Sequence, residues 1–381
     1  MIKIGITGQP GFVGTHLFNT LGLFPDKFER IPFEDAFFSD EKKLKVFVVS
    51  CDVIVHLAAM NRHNDPEVIY QTNIELVKQL ITACESTKVT PHILFSSSTQ
   101  EERDNMYGRS KLEGRKLFEK WADKNDAQFS GFIIPNVYGP YGNPYYNSVV
   151  ATFCHQLTHN EQPKIEIDSE IKLIYVGELI KNFIDRIELI HNENKNDCVI
   201  EEVQVQPTSQ IKVSTLLKVL QTYKTNYFSC GEIPKLDNPF KVNLFNTFIS
   251  YIDHQSFYPF KLKLNTDSRG TFVETVKLNS GGQISFSTSG PGITRGNHFH
   301  TRKAERFAVI KGKARIELRR IGTDKVLSFD LDGKEPSFVD MPIWFSHNIT
   351  NIGDQELYTI FWINEHYIAN DPDTYFETVK T

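Results

Sequence analysis

Apolar residues in the first third of the chain fall in short unbroken runs, separated by longer stretches with helical spacing. Ile2-Lys3-Ile4-Gly5-Ile6, Phe28-Glu29-Arg30-Ile31, Asp52-Val53-Ile54-Val55-His56-Leu57-Ala58-Ala59 and His92-Ile93-Leu94-Phe95-Ser96-Ser97-Ser98 read as strands. Thr15–Leu21, Val68–Cys84 and the stretch from Tyr107 to Phe118 read as helices. Strands covered on both faces lose the alternation of apolar and polar residues, so this order predicts an α/β fold with a Rossmann-type, doubly wound parallel sheet. Ligands of such sheets sit beyond the C-terminal strand ends, where Ala58, Ala59 and the serines fall.

Beyond Pro135 the pattern loosens. Asn136 to Pro144 is dense in turn formers, and helical segments are predicted near 149–158, 176–190 and 213–223, together forming a substrate lobe. Asn238 to Phe260 reads as a helical connection bounded by prolines. From about Leu262 the spacing changes to short alternating runs such as Ala314-Arg315-Ile316-Glu317-Leu318-Arg319, with glycine turns at Gly281-Gly282, Gly290, Gly312, Gly322 and Gly333. That pattern predicts an all-β sandwich or small barrel.

A chain of 381 residues exceeds what one core usually holds, and the change of pattern divides it into 1–245, a linker over 246–262, and 263–381. The net charge of −5 and the lack of a Lys/Arg block give no footprint for nucleic acid. Cys51, Cys84, Cys154, Cys198 and Cys230 are odd in number and never spaced C-x-x-C, which points to reduced thiols rather than to disulfides or a thiolate metal site. No apolar run approaches ~18 residues and no leader-like segment precedes the first strand, so the expectation is a cytoplasmic protein without a membrane partner.

Gly8-Gln9-Pro10-Gly11-Phe12-Val13-Gly14 joins the first strand to the first helix. Glycines let backbone approach a pyrophosphate, and a helix N-terminus offers unpaired N–H donors to it. The residue that reads the adenosine ribose falls near the end of the second strand; Arg30 there points to NADP, while Glu29, Glu34 and Asp35 leave NAD open. Tyr107 and Lys111 stand one helical turn apart. Bringing a tyrosine from a pKa of ~10 to neutrality costs about 4 kcal/mol, roughly what a cation at ~4 Å supplies in a medium of effective dielectric ~20. Tyr107 is therefore a candidate acid or base at a carbonyl.

Taken in order, the glycine turn, Asp52…His56-Leu57-Ala58-Ala59, Asn73, Ser98 and Tyr107/Lys111 resemble the extended short-chain dehydrogenase/reductase family over roughly residues 1–245. The resemblance implies that Tyr107 is the acid/base, Lys111 lowers its pKa and holds the nicotinamide ribose, Ser98 orients the substrate, with Thr99 as the alternative, and Asn73 maintains a proton relay. It implies cofactor contacts from Gly8, Gly11, Phe12, Val13, Gly14, Arg30, Leu57, Ala58, Ala59, Lys111 and Pro135. Nucleotide sugars are frequent substrates of that family, and the Pro135–Asn147 loop stands where the nucleotide is gripped.

In the last third, Gly292 to Gly312 carries His298, His300 and Glu305, and His347 follows. Histidines two apart in a strand face one side, and two imidazoles and a carboxylate turned into a barrel call for a divalent metal. The spacing resembles the first cupin motif, and Pro342 to Asn351 resembles the second, with Trp344 in place of its glycine. This implies His298, His300, Glu305 and His347 as ligands; the donor set alone suits Zn, Fe, Mn or Ni. His300, Lys313 and Tyr358 are candidates for a proton-transfer base.

With Tyr145 to Cys154 and Pro234 to Asn238, the whole chain resembles the enzymes of capsular and O-antigen polysaccharide synthesis that join a reductase to a cupin. That resemblance implies a zinc-containing homodimer of the UDP-N-acetyl-L-fucosamine pathway. Its cupin would epimerise C3 of a UDP-2-acetamido-2,6-dideoxy-4-hexulose, and its reductase would reduce C4 with NADPH to UDP-2-acetamido-2,6-dideoxy-L-talose. Two other readings fit parts of the pattern: a cupin oxygenase fused to a dehydrogenase, and a non-catalytic NADP-binding redox sensor.

Overall fold

The computed structural model describes residues 1–192, 199–268 and 270–380. Its contacts divide it into two compact units, one of Met1–Val149 with Ser169–Lys212, the other of Val150–Asp168 with Val213–Thr381. The helices after residue 213, which the sequence pattern groups with the reductase segment, thus pack in the second unit.

The first unit is α/β. Strands β1 (Ile2–Thr7), β2 (Phe28–Ile31), β3 (Val53–His56), β4 (His92–Ser98) and β5 (Phe129–Ile134) alternate with helices α1 (Phe12–Leu21), α2 (Glu41–Val49), α3 (Pro66–Thr87) and α4 (Met106–Asn125). Later in the chain come β6 (Asn136–Tyr138), β7 (Glu170–Tyr175), α6 (Val176–Asn192), β8 (Ile200–Gln204) and β9 (Ser209–Lys212), while α5 (Val149–Thr158), between β6 and β7, packs in the second unit. The main sheet runs β2-β1-β3-β4-β5-β8, parallel at every pairing. Strands β3 and β5 are buried along their whole length, as sheets covered on both sides require. The order reverses between β1 and β3, which places a crevice at their C-terminal ends. Helix starts are set by local chemistry: Asp65 caps the Glu67 N–H and Pro66 fixes the first turn of α3, while Asn105 caps α4 through the Gly108 N–H.

The second unit holds α7 (Val213–Tyr223), α8 (Pro239–Ile249), α9 (His254–Phe257) and strands β10 (Phe260–Lys261), β11 (Asn265–Asp267), β12 (Gly270–Phe272), β13 (Gln283–Ser289), β14 (Thr294–Phe299), β15 (Glu305–Lys311), β16 (Lys313–Arg320), β17 (Val326–Asp332), β18 (Ser337–Met341), β19 (Phe345–Asn351), β20 (Leu357–Ile363) and β21 (Tyr375–Phe376). Two antiparallel five-stranded sheets, β10-β18-β15-β20-β13 and β17-β16-β19-β14-β21, make its cupin-like β region. The predicted linker is helical, and Phe248, Ile249, Ile252 and Tyr258 from it are core residues.

A buried polar network joins these helices to the sheet. Arg306 pairs with both carboxylate oxygens of Asp340 at 2.7 and 2.9 Å and donates to the Gly231 carbonyl at 2.6 Å. Tyr227 donates to Asp340 at 2.6 Å and meets the Tyr258 hydroxyl at 2.7 Å. Cys51, Cys84 and Cys154 are buried thiols and Cys230 is exposed; Cys198 lies outside the described residues. Among the described residues, no helix is long and apolar enough to cross a membrane.

Removing one partner of a buried ion pair strands the other charge, at a cost of ~3–5 kcal/mol. Asp340→Ala should therefore lower the unfolding transition of the second unit by about that amount in a denaturant titration followed by circular dichroism. A loss below ~1 kcal/mol would show that the network contributes little.

Candidate functional site

At the end of β1, Gly8 takes φ +70°, and a Cβ there would lie 2.8 Å from the Ala58 nitrogen. The turn thus packs directly on the segment Leu57-Ala58-Ala59 after β3. Leu57 N–H bonds the Thr7 carbonyl at 3.2 Å and Ala58 N–H the Thr7 hydroxyl at 3.3 Å. Buried His56 meets the same hydroxyl at 2.8 Å, and burial, reinforced by Lys111, lowers its pKa to about 3. Gly11 opens α1 with no capping side chain and no acidic residue in the first turn. The N–H groups around Phe12, Val13 and Gly14 are therefore suited to a phosphate. Pro135 is buried after β5, and the loop beyond it is held to α1 by His16, which meets the Pro140 carbonyl at 2.9 Å.

Arg30 turns elsewhere. Its guanidinium donates to the Phe18 carbonyl at 3.2 Å and lies 4.2 Å from the Phe18 ring, in the half of α1 remote from the glycine turn.

Ser98 closes β4, and its hydroxyl oxygen accepts the Gln100 N–H at 3.1 Å, which leaves the O–H to donate. Gly108 packs so tightly on this turn that a Cβ would collide with the Gln100 carbonyl, so Tyr107 stands beside it. Lys111, buried, donates to the Ser96 carbonyl at 2.8 Å, with its nitrogen 5.7 Å from the Tyr107 ring centre. Ser98, Tyr107 and Lys111 are thereby brought together. Burial, followed by Tyr146, pushes the Tyr107 phenol up to about 12, and burial lowers Lys111 to about 8 against the opposing pull of Glu101. The expected downward shift of the tyrosine is reversed by burial, and the phenol holds its proton at neutral pH. Asn73 is buried with its amide engaged by the Met60 N–H and carbonyl at 2.7 and 2.9 Å and by Ser110 at 2.9 Å. Its side chain fixes the segment after β3 to α4.

In the second unit the nitrogen or oxygen donors of His298, His300, Glu305 and His347 all lie within 4.8 Å of one another. Glu305 comes from β15, and the histidines lie on or beside β14 and β19 of the facing sheet. Glu305 Oε2 lies 3.0 Å from His347 Nε2 and 3.4 Å from His300 Nε2, yet all three atoms are buried without a hydrogen bond of acceptable geometry. The other ring nitrogens explain the orientation: His347 Nδ1 donates to the Phe345 carbonyl at 3.1 Å and His300 Nδ1 to that of Asp373. A carbonyl only accepts, so each ring carries a proton on Nδ1, and Nε2 is the nitrogen turned toward Glu305 and free to bind a cation in the neutral form of the ring. Burial, helped by His347, lowers His298 to about 4, which keeps it neutral. Three imidazoles and a carboxylate aimed at one point fit a divalent cation.

Trp344, standing where the motif has glycine, keeps the turn by adopting φ +63°. Its N–H bonds the His300 carbonyl at 2.7 Å, and its ring stacks on Phe299 at 5.6 Å. Lys313 and Tyr358 lie elsewhere. Tyr358 pairs with Lys311, six residues from Glu305 along β15, or roughly 20 Å, and Lys313 follows in the next turn. An unexpected feature is the inner row of β13: register through β20 puts Gln283, Ser285 and Ser287 on the sheet face of Glu305 and Phe307. Apolar Ile284 and Phe286 face outward, 55% and 73% exposed.

Comparison with known proteins follows the same division. Residues 4–188 match the NAD dependent epimerase/dehydratase family and residues 265–375 the Polysaccharide biosynthesis C-terminal domain. The UDP-2-acetamido-2,6-beta-L-arabino-hexul-4-ose reductase of Pseudomonas aeruginosa is 33% identical over 379 residues, 98% of each chain. The capsular polysaccharide assembling protein CapF of Staphylococcus aureus superposes with a TM-score of 0.62 at 32% identity, over 99% of this chain and 100% of that one. RMD of Pseudomonas aeruginosa, solved with NADPH, shares only the fold, with a TM-score of 0.54 at 17% identity over 66% of this chain and 99% of that one.

The lowered Lys111 pKa has a thermodynamic signature. Its folded value of about 8 lies below the ordinary ~10.4, so unfolding takes up a proton between the two, and stability of the cofactor-free protein rises with pH across that window. In Lys111→Met that rise should be missing from a pH series of denaturant titrations on the first unit. An unchanged pH slope would contradict the burial of this charge.

Proposed function

Because the chain belongs to the CapF-like extended short-chain dehydrogenase/reductases that carry a polysaccharide biosynthesis C-terminal domain, we propose that it is a bifunctional enzyme acting on a UDP-activated amino sugar. Its second unit epimerises C3 of a UDP-2-acetamido-2,6-dideoxy-4-hexulose. Its first unit then reduces the C4 ketone with NADPH, in the synthesis of UDP-N-acetyl-L-fucosamine. The carrying observation is that one chain holds both a half-buried Tyr107 beside the buried Lys111, in the unit that carries the glycine turn, and a cluster of three histidines and a carboxylate, three of whose donors are buried and unpaired, suited to zinc.

A nicotinamide bound in the first unit supplies a hydride, and a cation bound in the second supplies Lewis-acid polarisation beside an acidic C–H. The chain's own groups do the rest. The first turn of α1 binds the pyrophosphate, and Leu57-Ala58-Ala59 shape the floor beside it. Ser98 donates a hydrogen bond to the C4 oxygen, and Tyr107 donates the proton that completes the alcohol. A phenol held near 12 is a proton donor in the reductive direction. Lys111 holds the end of β4 and offers its ammonium to the nicotinamide ribose. In the second unit His298, His300, Glu305 and His347 hold the cation, and Gln283, two strands or ~10 Å from Glu305, with Ser285 and Ser287 further along the same row, offers hydrogen bonds to a polar sugar. The placement of Arg30 on α1 assigns it no part in this scheme, so the preference for NADPH rests on the family resemblance. A homodimer is proposed on the same footing.

Two single substitutions separate the half-reactions. Tyr107→Phe should lower NADPH oxidation by ~100-fold or more while solvent deuterium still enters C3. His347→Ala should abolish that exchange while pre-epimerised substrate is still reduced. If Tyr107→Phe reduced at the wild-type rate, the assignment of the first unit would be wrong.

A further inference from the structure

We infer that Asp373, in the C-terminal segment, is a positioning residue for the cation site, holding His300 in register and the turn between His300 and Glu305 in shape. The inference rests on reading the four-residue cluster as a cation site.

Three observations carry it. Asp373 is buried, and its carboxylate accepts from the backbone N–H groups of Thr301, Arg302 and Lys303 at 3.1, 3.0 and 3.1 Å and from the Thr301 hydroxyl at 2.6 Å. Three successive amides of the stretch that spaces His300 from Glu305 thus converge on one side chain. Second, the Asp373 carbonyl accepts the His300 Nδ1 proton, and it faces the ring because this residue takes φ +43°. Third, flanking residues fasten the same segment. Lys303 Nζ donates to the Pro372 carbonyl at 2.7 Å, Arg302 pairs with Asp371 at 2.8 Å, and Tyr375 stacks on Phe299 at 5.3 Å.

The logic is that of outer-shell control. A ligating imidazole binds through one nitrogen only if the other is held in the matching tautomer, and the groups that hold it typically change metal affinity 10–100-fold. Here one residue supplies both the acceptor for the ring and the anchor for the turn. The His300 ligand therefore depends on a segment some 70 residues later in the sequence.

The test uses full-length protein stripped with a chelator and titrated with cobalt(II), read by its visible d–d absorption and by competition with a chromophoric chelator at a temperature where each variant is folded. Wild type should bind, and Asp373→Ala should bind ~10–100-fold more weakly with an altered band pattern. Asp373→Asn, which keeps one acceptor oxygen, should fall between them. A merely structural role would lower the melting temperature and leave the cobalt affinity of folded protein unchanged. An affinity for Asp373→Ala within twofold of wild type overturns the inference. If that variant does not fold, Thr301→Ala, which removes only the hydroxyl bond, decides by the same titration: several-fold weaker binding supports the inference and an unchanged value overturns it. A wild type that binds no cobalt would instead overturn the cation-site reading.

Discussion

A carboxylate almost sealed from water and faced by two imidazole nitrogens that give it no hydrogen bond is an expensive thing to build into a protein. Glu305 is in that position, 8% exposed, with His300 and His347 turned toward it by carbonyls on their far sides. An isolated buried carboxylate would be destabilised by several kcal/mol. Much of the second unit is arranged around holding this set. The two sheets bring Glu305 and the histidines together from opposite faces, Trp344 accepts a left-handed backbone that costs ~1–3 kcal/mol, and the last residues of the chain close over the His300 turn.

The first unit answers a different constraint, that of holding a tyrosine beside a buried lysine at the end of β4. Lys111 gives a hydrogen bond to the Ser96 carbonyl, and burial favours the neutral form of the Tyr107 phenol. That state suits reduction of a ketone. The same buried lysine is disfavoured as a charge, a stability penalty of the kind active sites commonly carry.

Periodicity made the parallel sheet, the helices after it and the change to β structure near residue 262 legible. The glycine turn, Tyr107/Lys111 and His298/His300 were legible because each pairs a residue type with a local spacing, and Glu305 and His347 because the motif resemblance spans the strands that carry them. What was hidden depended on long-range partners. Strand β5 carries Ser130 and Gly131 within an apolar run and blends into the turn-rich text after it. Arg30 stands at the expected strand end, but its side chain takes the nearer ring of Phe18. Asn73 and Asp373 act through backbone groups 13 and 70 or more residues away, which no local pattern reports. The inward serines of β13 look like an ordinary alternating strand until its register shows that the polar side faces inward. Trp344 shows the reverse case, a departure from a motif that preserves its backbone turn.

The most direct measurement of the central claim is to incubate the protein with UDP-2-acetamido-2,6-dideoxy-4-hexulose in heavy water, with and without NADPH, and to follow nicotinamide absorbance and deuterium at C3 together. The account predicts deuterium at C3 without cofactor and NADPH oxidation once it is added. NADPH oxidation with no deuterium at C3 would contradict the assignment of epimerisation to the second unit.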